Sequence, residues 1–165
     1  MRAALGSAVF FLLAPGVVAG LIPWWLTGWE REEPAQFWVV PRVPGGALVV
    51  VGVGVLLHAF VRFVVEGMGT PAPVAPTERL VVGGLYRYVR NPMYLAVLAA
   101  IVGQAFLLGR LELLAYAALV AAVVAAFVHW YEEPTLRRQF GEEYDAYQQA
   151  VPGWIPRPGR RYDHD

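Results

Sequence analysis

Two short polar clusters interrupt an otherwise apolar sequence of 165 residues. The first, Gly83-Gly84-Leu85-Tyr86-Arg87-Tyr88-Val89-Arg90-Asn91-Pro92-Met93-Tyr94, leads straight into a hydrophobic run. The second, Glu132-Glu133-Pro134, stands at the exit of the next run. Guanidinium groups hold carboxylates and phosphates through paired hydrogen bonds, while carboxylates accept from paired hydroxyls or take protons from amines. Arginines ahead of a hydrophobic run also serve as plain topology anchors, and Arg87 or Arg90 could simply pair with the glutamates. Two acids at the C-terminal end of a helix face the negative pole of its dipole, so a compensating cation is expected beside them. His58 and Arg62 lie one turn apart inside another apolar run. Ionisable groups at membrane depth are functional candidates by default, although Arg62 can also snorkel to the surface. His129 is a weaker candidate, near the end of its run.

Composition says where such clusters would sit. The chain is 58% hydrophobic and only 16% charged, with a mean hydropathy of +0.48, more apolar surface than a soluble domain of this size can bury. Cysteine is absent, which excludes disulfides, thiolate metal sites and a cysteine nucleophile. Thirteen arginines, with no lysine, balance 13 acids, so net charge gives no reason to expect nucleic acid as a partner.

A span needs roughly 20 helical residues, and four stretches approach or meet that length: about 3–26, 45–65, 92–108 and 111–130. The expected fold is therefore all-α, a single polytopic membrane domain over 1–165 with about four transmembrane spans. Pro15-Gly16 and Pro23 bend the first span, and Trp24, Trp25 and Trp29 mark its exit as interface anchors. Small residues near Val18-Ala19-Gly20 also allow a secretory-signal reading, which the uninterrupted apolar run to Trp25 disfavours. Gly52 and Gly54 in the second span suit close approach of another helix. Pro71, Pro73 and Pro76 stiffen the loop that follows. Only Gly109-Arg110 separates the last two spans, which makes them an antiparallel hairpin and brings the two polar clusters to one end. Over 135–150 an apolar stripe of Leu136, Phe140, Tyr144 and Tyr147 opposes charged residues, as in an amphipathic helix lying in the interface or capping a bundle. The tail is 151–165. With four spans, ten arginines fall on the side of the termini and three on the other, which places both termini in the cytoplasm.

The segment Gly84 to Tyr94, followed by Glu132-Glu133-Pro134-Thr135-Leu136 and Phe140-Gly141-Glu142-Glu143-Tyr144-Asp145-Ala146-Tyr147, resembles the isoprenylcysteine carboxyl methyltransferase and phospholipid methyltransferase superfamily. The resemblance covers roughly Gly83 to Pro156. It implies an integral membrane enzyme using S-adenosylmethionine, in a bacterial or archaeal-type inner membrane, with a lipid or lipid-like methyl acceptor and no metal. It further implies a cofactor pocket built from Arg90, Asn91, Pro92, Tyr94, Glu132 and Glu133; beside it Tyr86 and Arg87 are candidate cofactor contacts, Arg90 and Glu133 candidate catalytic residues, and His58 and Arg62, by their membrane depth, candidates for the acceptor pocket. Arg87 or Arg90 would hold a carboxylate. Glu133 would be the base if the acceptor were a protonated amine. Tyr94, Tyr144 and Tyr147 would pack around the adenine or close the mouth. The family's usual His is Asn91 here, and an amide cannot titrate near neutral pH, so a cofactor-orienting role fits this position better than a base. The family's small Gly is Ala96. The expected activity is methyl transfer to a lipophilic acceptor of the isoprenylcysteine carboxyl methyltransferase kind. Alternatives are phospholipid amine N-methylation, an NADPH-dependent sterol-type reductase, and a non-catalytic membrane scaffold. The acceptor and the oligomeric state are not readable from the residues.

Overall fold

The computed structural model describes residues 14–67 and 79–156. Among these residues no strand forms. The helices are α1 (Ala14–Thr27), α2 (Val39–Gly67), α3 (Pro92–Leu108), α4 (Glu112–Phe127), α5 (Glu133–Phe140) and α6 (Glu142–Ala150). Two helical stretches, Val39–Arg62 and Glu112–Phe140, are long and apolar enough to cross a membrane, while Ala14–Thr27 and Pro92–Leu108 are apolar but shorter. Of the four expected spans, two have crossing length among the described residues, and the other two stand as shorter apolar helices. The 3–13 part of the first span, the prolines Pro71, Pro73 and Pro76, and the tail beyond Pro156 lie outside the described residues.

The spine of the bundle is the α2–α3 pair, and glycine makes it possible. A Cβ on Gly45 would sit 2.7 Å from the Leu107 amide nitrogen, one on Gly103 2.7 Å from the Gly45 carbonyl, and one on Gly52 2.8 Å from the Ala96 carbonyl. The two backbones therefore touch, the arrangement that small residues permit between membrane helices. Ala96 is buried at this contact. Gly54 corrects the expectation attached to it: nothing lies within 4 Å of its missing Cβ. Leu56, Val97, Ile101 and Leu113 fill the core between α2, α3 and α4.

The α3–α4 turn is short, as its Gly109-Arg110 signal implies, with Leu111 added to make three residues between the helices. Gly109 takes φ +75°, and a side chain there would collide with the Glu32 carbonyl. Left-handed backbone and close approach together require glycine. The Glu32 amide donates to the Leu108 carbonyl at 2.7 Å, and Arg110 binds Glu32 and reaches Glu30 and Glu112 at 3.7 and 3.5 Å. This closure fixes one end of the bundle, the Arg110 end. The opposite end, where α3 begins and α4 leaves, carries both polar clusters.

Candidate active site

The α4 helix does not stop at the glutamates. It passes through a π-helical turn, Val128–Glu132, and runs on as α5 to Phe140. The cause is Pro134, which has no N–H to offer the Trp130 carbonyl and whose ring crowds it. Widening the previous turn relieves that clash, and the Glu133 amide bonds the Val128 carbonyl five residues back. The reading of the glutamate pair as a helix C-terminus is therefore corrected: the pair sits inside a continuous helix, on a π-turn of the kind found at functional sites. The expected amphipathic helix over 135–150 is likewise two helices. Gly141, with φ +54°, breaks them, and Leu136, Phe140, Tyr144 and Tyr147 pack with Val151 on Leu80 and Val82.

The consequence of the π-turn is that the two carboxylates find different partners. The Tyr94 hydroxyl donates to Glu132 Oε2 at 2.7 Å. Arg90 Nη1 pairs with Glu133 Oε1 at 3.0 Å and donates to the Tyr144 hydroxyl at 3.3 Å. Burial pushes the Tyr144 phenol up to about 12 against the opposing pull of Arg90, so at neutral pH it is an uncharged acceptor. Arg90 is thus the cation expected beside the pair. Its Nε is buried with no hydrogen-bond partner among the described residues.

A strap from the C-terminal side braces the start of α3. The Arg90 amide donates to the Pro152 carbonyl at 2.9 Å, and Asn91 Nδ2 donates to the Gly153 carbonyl at 3.0 Å. A Cβ on Gly153 would press on the Arg90 guanidinium at 3.2 Å. Trp154 lies with its ring 6.4 Å from that of Tyr94. Tyr147, expected near an adenine, instead donates its hydroxyl to the Tyr86 carbonyl at 2.7 Å in a buried setting. The strap and the π-turn were missed by sequence reasoning. Pro134, one residue past the glutamate pair, was the available signal for the turn. Gly153 between Pro152 and Trp154 was a fainter one for the strap.

Behind these groups lies a cavity of about 200 Å³. Tyr86, Arg90, Asn91, Tyr94 and Glu132 line its polar end, and Val97, Val124 and Phe127 belong to its apolar remainder. Pro92 is buried as the first residue of α3, and Arg87 ends the 3₁₀ turn Gly84–Arg87. From α2 the cavity is lined by Leu56. His58 and Arg62 lie instead against Gly84, whose missing Cβ would be 3.1 Å from His58 Nε2 and 3.2 Å from Arg62.

Asn91 spends its amide on the strap. Removing that hydrogen bond with Asn91→Ala costs about 0.5–1.5 kcal/mol. Limited proteolysis should then cut 151–156 several times faster, with no new pH dependence of the remaining function.

Apolar helices bound through glycine contacts thus carry, at the end opposite Arg110, the Arg90–Glu133 pair and the Tyr94–Glu132 bond beside a small cavity. The chain belongs to the phospholipid methyltransferase family, whose family model matches residues 40–143, more than half of its length. The match takes in α2, where the sequence had offered only hydrophobicity, and ends before Tyr144. No curated protein and no solved structure matches the chain. The family makes it a membrane methyltransferase with a lipid setting, and it favours methyl transfer over the reductase alternative.

Proposed function

We propose that the protein transfers a methyl group from S-adenosylmethionine to an amine-bearing lipid at the cytoplasmic face of the membrane. The observation that carries this reading is Glu132, a carboxylate held by Tyr94 at 2.7 Å and turned into a largely apolar cavity. A carboxylate offers about four lone-pair sites, and Tyr94 occupies one, so Glu132 retains acceptors for the two hydroxyls of a ribose. The unpartnered Nε of Arg90 supplies a donor for an anionic group such as the methionine carboxylate. The residues present therefore fit the cofactor. When bound, S-adenosylmethionine supplies a methyl group on a sulfonium, already activated for in-line displacement.

The rest is alignment and exclusion of water. Glu133 fixes the Arg90 guanidinium, and the Pro152–Trp154 strap fixes the backbone beneath it. Asn91 and Pro92 set the start of α3 from which Tyr94 projects. The Glu132 carboxylate, committed to Tyr94 and the ribose hydroxyls, favours a cationic headgroup amine nearby by charge alone, and with Glu133 engaged by Arg90 the amine reacts in its neutral form. A carboxylate acceptor of the prenylcysteine kind would meet Glu132 with like charge. The ten-to-three arginine imbalance supports the cytoplasmic placement of this end.

The test is methyl transfer from labelled S-adenosylmethionine into a total lipid extract by the purified protein. Label is expected in a headgroup amine and should survive mild base. Base-labile label released as methanol would move the acceptor to a carboxylate, and no label in any lipid would overturn the proposal.

A further inference from the structure

The way α1 is held leaves an open groove beside it. Pro23 has no N–H to offer the Ala19 carbonyl, and the turn before it, Val17–Leu21, is π-helical, with the Ile22 amide bonded to the Val17 carbonyl five residues back. Val18 and Ala19 thereby lose their usual helical donors. The Tyr116 hydroxyl donates to the Val18 carbonyl at 2.9 Å, and Gln104 Nε2 donates to the Ala19 carbonyl at 2.7 Å. These bonds hang α1 on α3 and α4. Toward α2 it presents Gly16 and Gly20, and nothing lies within 4 Å of either missing Cβ. The groove between them has a volume of about 580 Å³, with Val53 and Leu57 on the α2 side and Ala100 and Gln104 on its α3 floor. It is open to the surroundings, since Val53 is 45% and Leu57 50% exposed.

Its length, wall and mouth fit a phospholipid. The floor follows α3 from Ala100 to Leu108, about 12 Å at 1.5 Å per residue, which lies within one leaflet of a hydrocarbon core ~30 Å thick. Gln104 is satisfied on both sides, because its Oε1 also accepts from the Trp29 indole at 3.3 Å. A wall without unmet polar groups selects an apolar chain. At the mouth stand Trp29 and Arg31. The other two arginines of this end are engaged, Arg42 with Glu33 at 3.3 Å and Arg110 with Glu30, Glu32 and Glu112. Among the described residues Arg31 is exposed and has no ionic partner. A phosphate would supply one. Glu30 and Glu32 flank Arg31 in the chain, so a net-negative headgroup would meet like charge, whereas a zwitterion brings its own cation.

We infer that this groove binds one zwitterionic phospholipid of the leaflet opposite the candidate active site, its phosphate on Arg31 and one chain lying along Gly20 between α1 and α2. That lipid is a resident of the fold and not the methyl acceptor, because the two polar clusters stand at the other end of the bundle.

Native mass spectrometry of the full protein, released from nanodiscs of equal phosphatidylcholine and phosphatidylglycerol, tests this without turnover. Phosphatidylcholine has no amine left to methylate, so its retention is not that of an acceptor. The wild-type chain should keep one phosphatidylcholine. Arg31→Gln should lower its occupancy about fivefold, the effect of one arginine at a lipid surface. Gly20→Leu, which fills open space rather than displacing an atom, should abolish retention. Gly54→Leu, equally open at its Cβ but outside the groove, should leave it unchanged. No retained lipid, retention that survives both groove variants, equal loss in Gly54→Leu, phosphatidylglycerol in place of phosphatidylcholine, or two chains released together would each overturn the inference.

Discussion

Glu132→Gln should weaken S-adenosylmethionine binding by about one to two orders of magnitude, because hydrogen bonds to a charged partner contribute ~1.5–3 kcal/mol. The substitution keeps the size of the side chain and removes its charge. It also turns one acceptor oxygen into a donor, which then faces either the Tyr94 hydroxyl, now 2.7 Å from Oε2, or the hydroxyls of the ligand. Tyr94→Phe is the discriminating control. It deletes the phenol but leaves the carboxylate with one more free lone pair, so binding should change only a few-fold. Equilibrium binding of labelled cofactor to detergent-solubilised protein reads both. Equal losses in the two variants would indicate that the Tyr94–Glu132 bond matters only for structure.

Arg90→Ala should have the largest effect on the clasp formed by α5, α6 and the strap. The guanidinium side chain is 14% exposed and its partner Glu133 21% exposed, so the pair lies between the exposed and fully buried extremes. Breaking one partner of a buried pair costs ~3–5 kcal/mol, whereas exposed pairs contribute ~0–1 kcal/mol. About 2–3 kcal/mol is expected here, part of it from leaving Glu133 without a partner. Thermal unfolding in detergent should show the loss, with early proteolysis near Gly141. Arg90→Ala/Glu133→Gln should recover part of the stability by removing the orphaned charge, and the recovered fraction measures the coupling. Neither double nor single variant should bind cofactor well, because the donor is gone in both.

The parts of the fold legible in the sequence are those fixed by chain connectivity. Gly109-Arg110 between two apolar runs forces a hairpin, and a hairpin forces Arg90 and Tyr94 toward Glu132 and Glu133. What hydrophobic periodicity could not show is a one-residue change of register. The π-turn at Val128–Glu132 leaves the apolar pattern intact, yet it sends neighbouring carboxylates to different partners. The stripe of Leu136, Phe140, Tyr144 and Tyr147 was also visible, but its spacing reads the same through a continuous helix or across the Gly141 break. Gly52 and Gly54 look alike in sequence, and only the crossing of α2 over Ala96 and Ala100 decides which one is needed. His58 and Arg62 stand at a depth in α2 that the sequence shows, and the fold sets that level against Gly84 rather than the cavity.

Ultraviolet cross-linking of labelled S-adenosylmethionine to the wild-type protein, followed by peptide mapping, tests most directly whether the two polar clusters build one nucleoside site. Saturable label is expected in the peptides spanning Tyr86–Tyr94 and Glu132–Trp154, competed by unlabelled cofactor. Saturable label confined to the Arg110 end, or none at all, would contradict it.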